Sequence, residues 1–201
     1  IPNALWQDLS PIDWLLENTA ENLWLNPAAW LISRDLAEKA GPWDERLSMD
    51  DDGEYFARVV AASHGVRFVP DARCYYRQTS FRQVSRAFDD RAVESLLLSA
   101  RLRIRTLLSV EDSDRARAAG CKFLEKRHAF LFPEYPELID KIEAFAAEMG
   151  CRLAPSELDK KTALFLKYLG PVRGKKALRF LHRFRMSAAV NWDKILDLLG
   201  I

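Results

Sequence analysis

The sequence predicts an α/β layer followed by a mainly α-helical extension, helix-rich overall. Three observations support this. Up to about residue 86, turns alternate with short apolar runs, and a helical stretch is followed by two strand-like ones. From residue 87 onward, long amphipathic periods of helical spacing take over. Composition shifts in the same direction: five of the six tryptophans (Trp6, Trp14, Trp24, Trp30, Trp43) lie within the first 43 residues, and only Trp192 follows. The chain thus divides into segments 1–86 and 87–201.

The elements follow in order. An apolar run over 23–33 is broken by Asn26-Pro27, and 34–40 reads as a short helix stopped by Gly41-Pro42. From Gly53 to about Ser63, Tyr55, Phe56, Val59, Val60 and Ala62 recur at helical spacing. Gly65 and Pro70-Asp71 bracket two strand candidates, 66–69 and 73–77. A helix adjoining strands argues for an α/β layer. Beyond 86, the run 91–110 carries Leu96, Leu97, Leu98, Leu102, Ile104, Leu107 and Leu108 on one stripe, with arginines at 101, 103 and 105. Ser113 or one of its neighbours is placed to cap a helix over 114–130. Pro133 and Pro136 separate that helix from 137–149, which Gly150 ends. Further helices are expected over 156–169, 174–186 and about 192–199.

Bulk properties exclude several classes. The 201 residues are 49% apolar and 29% charged with a net charge of +1, so no global field recruits nucleic acid or an acidic membrane. No apolar run approaches the roughly 20 residues of a membrane helix. The start, Ile-Pro-Asn-Ala-Leu-Trp, has neither an initiator Met nor a signal pattern, which suggests a fragment or a processed chain. Cys74, Cys121 and Cys151 lack metal-ligand and disulfide-framework spacing. They read as buried apolar thiols in a cytoplasmic protein. His64, His128 and His182 share no spacing, and no Gly-x-Ser-x-Gly or Gly-rich phosphate loop occurs.

The densest chemistry lies between Gly41 and Arg58. Asp44, Glu45, Asp50, Asp51, Asp52 and Glu54 put six carboxylates into eleven residues, offset by Arg46. Like charges so close raise one another's pKa. The structural explanation is a cap: Asp50 or Asp51 suits the N-terminus of the helix starting near Gly53. The chemical explanation is a general base at a helix entrance, able to take a proton from a hydroxyl. Glu54 and Arg58 stand at i, i+4 and are expected to pair. A second charged stretch, 173–185, has six Lys/Arg in thirteen residues with Leu178, Leu181 and Phe184 forming an apolar stripe. It reads as a terminal helix with a solvated basic face, or as a peripheral membrane contact.

Taken together, the segments 33–41, 42–48, 51–59 and 65–77 resemble the second half of family 2 glycosyltransferases of the GT-A fold. In that family a Gly-Gly-Phe-Asp-Glu-like turn precedes an acidic motif that opens a helix, followed by a strand ending near Pro and a His or aromatic residue. The resemblance spans about 28–85. More loosely, 111–120 and 132–138 look like the helical tail of a bacterial subgroup. It implies that 1–86 is the acceptor-side part of a GT-A-like domain. Asp52 falls on the catalytic base, which deprotonates an acceptor hydroxyl for in-line, inverting attack on the anomeric carbon. Trp43, Asp44 and Glu45 fall on the acceptor-side turn, and Asp51 and Glu54 on the acidic motif. Tyr76, Arg77 and Arg82 lie just past the strand, where such an enzyme could contact donor phosphates, or are simply solvated at the surface.

Two departures narrow that expectation. Only about 27 residues precede the match, without an Asp-x-Asp motif before Met49, so the donor-binding half is missing from these residues. The family's metal-holding His aligns with Tyr75 or Tyr76, and tyrosine is a poor ligand for Mg²⁺ or Mn²⁺. The metal, the nucleotide-diphosphate sugar and a glycan or other hydroxyl acceptor therefore belong to a complete enzyme. This chain alone is expected to bind no metal and to be inactive. The alternative is a non-enzymatic helical interaction module built on a glycosyltransferase remnant.

Overall fold

The computed structural model describes residues 3–75, 90–131, 135–153, 167–170, 172–174, 177, 178 and 180. Six α-helices organise them: α1 (Pro11–Glu21), α2 (Arg34–Ala40), α3 (Asp51–Ala62), α4 (Asp90–Val110), α5 (Asp114–Leu131) and α6 (Pro136–Glu148). A 3₁₀ turn, Pro27–Ala29, links α1 to α2. Their starts are locally encoded. The Ser10 hydroxyl accepts the Asp13 N–H at α1, and the Ser33 hydroxyl accepts the Leu36 N–H at α2. Gly41, at φ +81°, closes α2, where a residue with a Cβ would be strained. The helices expected over 34–40, 53–63, 91–110, 114–130 and 137–149 all form, within a residue or two at most ends.

The expected α/β layer does not form. Among the described residues there is no strand and no sheet, so the GT-A-like half-domain expected for 1–86 is corrected to helices and irregular loops. Val66 makes one isolated antiparallel bridge, with Leu9, and the pairing stops there. The reason is local. The Phe68 N–H goes to the Asp8 carboxylate at 2.9 Å instead of to a neighbouring strand, and Arg67 pairs with the same carboxylate. Residues 73–75 are exposed and irregular, and 76–77 lie outside the described residues. The helices expected over 156–169, 174–186 and 192–199 lie mostly outside them too.

Residues from both sides of position 86 fill one core. Trp14 and Leu15 of α1, Ala57 and Val60 of α3, Leu107 of α4, and Ala116 and Ala119 of α5 pack together. A second cluster joins α4, α5 and α6 through Ile104, Phe123, Leu124, Ile142 and Phe145. A smaller one sets Tyr55, Phe56 and Val59 against Trp30, Ile32 and Leu36. Fully burying each large apolar side chain contributes roughly 1.5–3 kcal/mol, so α4 and α5 hold α1 and α3 in place. The α5 residue Lys126 also caps the C-terminus of α1 by donating to the Ala20 carbonyl at 2.8 Å.

Cys121 and Cys151, expected as buried thiols, form a disulfide between α5 and the turn after α6, and Cys74 is an exposed free thiol. The 30-residue separation hid the pair from local reading, because packing of α6 on α5 brings the two together. Reduction is expected to lower the unfolding free energy by about 2–4 kcal/mol, read by urea denaturation with and without a thiol reductant. Among the described residues no helix is long and apolar enough to cross a membrane.

Candidate functional site

The acidic stretch is built outward from α4. Ser95, Ser99 and Arg103 recur every four residues on that helix and are all buried. The Ser95 hydroxyl accepts the N–H groups of Ser48 and Met49, both at 2.9 Å, and donates to the Met49 carbonyl at 2.7 Å. Ser99 donates to the carbonyl and carboxylate of Asp50, each at 2.9 Å. Asp50 occupies the N-cap position of α3 in the left-handed region (φ +59°), a conformation that Asp tolerates better than most residues. It makes no side-chain cap. Its carboxylate instead turns back to meet Arg103 at 3.3 Å and Arg127 of α5 at 2.8 Å.

Both arginines are deeply set, with side chains 3% and 13% exposed. Arg103 also donates to the Asn18 side-chain oxygen at 2.6 Å. The two guanidiniums lie 4.5 and 4.8 Å from the centre of the Phe123 ring. Burial, helped by the like charge of Arg103, holds Arg127 below the ordinary arginine range, and Asp50 opposes the shift. Arginine nevertheless stays charged at any physiological pH. The Nε atoms of Arg103 and Arg127 are buried without a hydrogen-bond partner among the described residues.

Gly53 completes the arrangement. A Cβ there would stand 2.7 Å from the Asp50 carboxylate and 3.0 Å from Arg103. Gly→Ala inside a helix ordinarily stabilises by roughly 0.5–1 kcal/mol. Gly53→Ala is expected to destabilise instead, by about 1–3 kcal/mol, because the ion pair must move. Thermal or urea unfolding reads the sign directly.

These residues form one wall of a cleft of about 170 Å³. Asp52 and Phe56 of α3 face it, Asn18 of α1 and Asn22 just past its end line it, and Leu23, Trp24, Leu25 and Trp30 complete it. Trp30 stacks on Phe56 at 4.6 Å, while Trp24 is 59% exposed at the rim. The Asp52 carboxylate accepts the Gly53 N–H at 2.8 Å. Burial pushes its pKa up. The neighbouring charges of Asp50 and Asp51 add to the shift, against the Gly53 hydrogen bond and the more distant Arg103.

The other expected site residues lie elsewhere. Asp44 is held by Arg46, which keeps its pKa down at about 2. Glu54 is buried beneath Arg58 in the expected i, i+4 pair at 2.6 Å. Arg58 also donates to the carbonyls of Ala40 and Pro42, tying α3 to the end of α2. Trp43 stacks on Tyr55 at 4.2 Å and lines a different, open groove with Arg34 and Glu38. Glu45 and Asp51 are exposed. Tyr76, Arg77 and Arg82, and most of 173–185, lie outside the described residues.

Asn18, Arg103 and Arg127 were not singled out in the sequence. A usable signal existed for one of them: Arg103 falls in phase with Leu96, Ala100 and Leu107 on the buried face of α4. Asp44, Asp50 and Glu54 are each engaged by arginine, and among the described residues no group of three His, Cys, Asp or Glu could hold an ion. Comparison with models of protein families, with curated proteins and with solved structures yielded no match.

Proposed function

We propose that this chain is part of an inverting glycosyltransferase, with Asp52 as its general base. One observation carries the reading. Of the carboxylates in the acidic stretch, Asp52 is the one that faces a cleft with its pKa pushed up, while Asp44, Asp50 and Glu54 are committed to arginines. A raised pKa suits a base, because it then gains more by accepting a proton near neutral pH. Asp52 takes the proton from an acceptor hydroxyl, whose oxygen bonds to the anomeric carbon as the bond to the nucleotide diphosphate breaks on the opposite side. A cleft of about 170 Å³ is below the roughly 300–1,000 Å³ of pockets that hold drug-sized ligands. It suits one ring of an acceptor and not a nucleotide-diphosphate sugar. Donor and Mg²⁺ or Mn²⁺ would be held by residues other than those described.

The isolated chain is expected to turn over no UDP- or GDP-sugar, and clear turnover would contradict that part. Co-expression with a segment carrying an Asp-x-Asp strand, if the upstream coding sequence contains one, is expected to give inverting transfer that depends on Asp52. The cytoplasmic placement belongs to this proposal with Cys121 and Cys151 reduced there, since disulfides persist chiefly in oxidising compartments. Thiol counting in rapidly quenched cells would read three thiols in that case and one otherwise.

The engagement of Asp44, Asp50 and Glu54 in ion pairs favours a second reading, a non-enzymatic helical interaction module. In it the acidic stretch serves only to join helices. An upstream reading frame without any donor-binding segment would decide for it.

A further inference from the structure

Helix α2 carries its surface charges in two opposite arrangements. Asp35 in the first turn and Lys39 in the last match the helix dipole, and Lys39 also donates to the Ala62 carbonyl at 3.0 Å. Arg34 and Glu38 run the other way. The cation stands at the positive N-terminal end and the anion lies one turn towards the negative end, the less favourable order for an i, i+4 pair. Among the described residues neither side chain forms an ion pair or a hydrogen bond, and both are exposed. They line one open groove with Ala37, Gly41, Trp43 and Tyr55. The Trp43 ring lies flat on buried Tyr55, 4.2 Å away and 8° from parallel. With that face covered, the 41% of Trp43 that is exposed belongs to its outer face and edges.

Such a surface is complementary to itself. Two copies of α2 laid antiparallel about a two-fold axis near Ala37 bring Arg34 of each copy to Glu38 of the other. One contact then supplies two ion pairs, and Ala37, with nothing beyond its Cβ, lets the helices approach. The charges that each helix places against its own dipole become matched by the other copy. We propose that the α2 groove is a homodimer contact, in which a second copy of this chain docks antiparallel, pairs Arg34 with Glu38 twice and covers Trp43. This is independent of the transferase reading, since neither charged residue lines the cleft at Asp52. The groove is far smaller than the roughly 20–30 residues a side of a stable interface. Its charges are also solvated, so the dimer is weak, with a Kd on the order of 100 µM.

Sedimentation velocity of the full chain at low salt, from about 5 to about 500 µM, tests this. The chain is expected to pass from largely monomer to mostly dimer across that range. Arg34→Glu and Glu38→Arg each set like charges across the axis, and each is expected to leave the chain monomeric throughout. Combining the two restores opposite charges, and the dimer is expected to return with a Kd within about threefold of the parent's. Both positions are exposed on α2, so urea unfolding curves close to the parent's are expected for all three variants. A parent that stays monomeric at about 500 µM overturns the proposal. A dimer indifferent to the single reversals, or one that the double reversal fails to restore, overturns it as well, because either outcome places the contact on another face.

Discussion

Asp50→Asn is expected to lower the unfolding free energy by about 3–5 kcal/mol, the cost of leaving buried guanidiniums without their counter-charge. Against the roughly 5–15 kcal/mol that separates folded from unfolded domains, this is a large fraction. The choice of Asn isolates charge from conformation, because Asn accepts the left-handed backbone at this position as readily as Asp. It also keeps one oxygen that can accept from Ser99. The loss is therefore electrostatic. Arg127→Leu should cost less, since Asp50 retains Arg103, and combining it with Asp50→Asn should recover part of the loss. Urea denaturation of the four proteins gives the coupling energy. An Asp50→Asn protein within about 1 kcal/mol of the parent would show that the three-residue ion cluster is incidental.

Asp52→Asn is expected to behave in the opposite way: little loss of fold and a large loss of chemistry. General-base catalysis contributes about 10²–10⁴-fold, so under the proposed function transfer by the complete enzyme should fall by that factor. Stability provides an independent check through pH. The folded-state pKa of Asp52 is raised, so the folded protein holds this proton more tightly than the unfolded chain. Relative to Asp52→Asn, the parent therefore loses stability as pH rises from the unfolded carboxylate range to the folded pKa of Asp52. The advantage of the variant should grow across that window and then level off. A difference that stays flat with pH would mean that Asp52 is solvated like an ordinary surface carboxylate.

Local pattern made much of this fold legible. Helix α3 follows from Tyr55, Phe56, Val59 and Val60 at helical spacing, and the Glu54–Arg58 pair follows from two residues one turn apart. The helices α4 to α6 follow from long apolar stripes, with Pro133, Pro136 and Gly150 marking ends of α5 and α6. What depended on distant partners was not legible. The stretch 66–69 has the composition of a strand, but a strand needs a neighbour, and Asp8 occupies the backbone N–H that a second rung would use. The disulfide needs α6 folded back on α5.

The candidate site shows the same division. Asp52 is nominated by the resemblance to family 2 glycosyltransferases, not by the acidic stretch alone. Arg103 and Arg127, which line the same cleft, lie 51 and 75 residues away and are brought beside it only through packing of α3 on α4 and of α4 on α5. Seen from the sequence, six crowded carboxylates carry a repulsive cost that Arg46 and the expected Glu54–Arg58 pair offset only in part. In the fold, four arginines (Arg46, Arg58, Arg103 and Arg127) neutralise Asp44, Asp50 and Glu54, and Asp52 remains as the group whose proton affinity is raised.

The central claim is that Asp50 holds the structure and Asp52 does the chemistry. The most direct test is the initial rate of sugar transfer by the complete enzyme carrying Asp52→Asn, in protein whose unfolding curve shows it to be folded. The expected result is a rate reduced by about 10²–10⁴-fold. A parent-like rate in the folded variant would contradict the claim and leave the acidic stretch as a structural joint between helices.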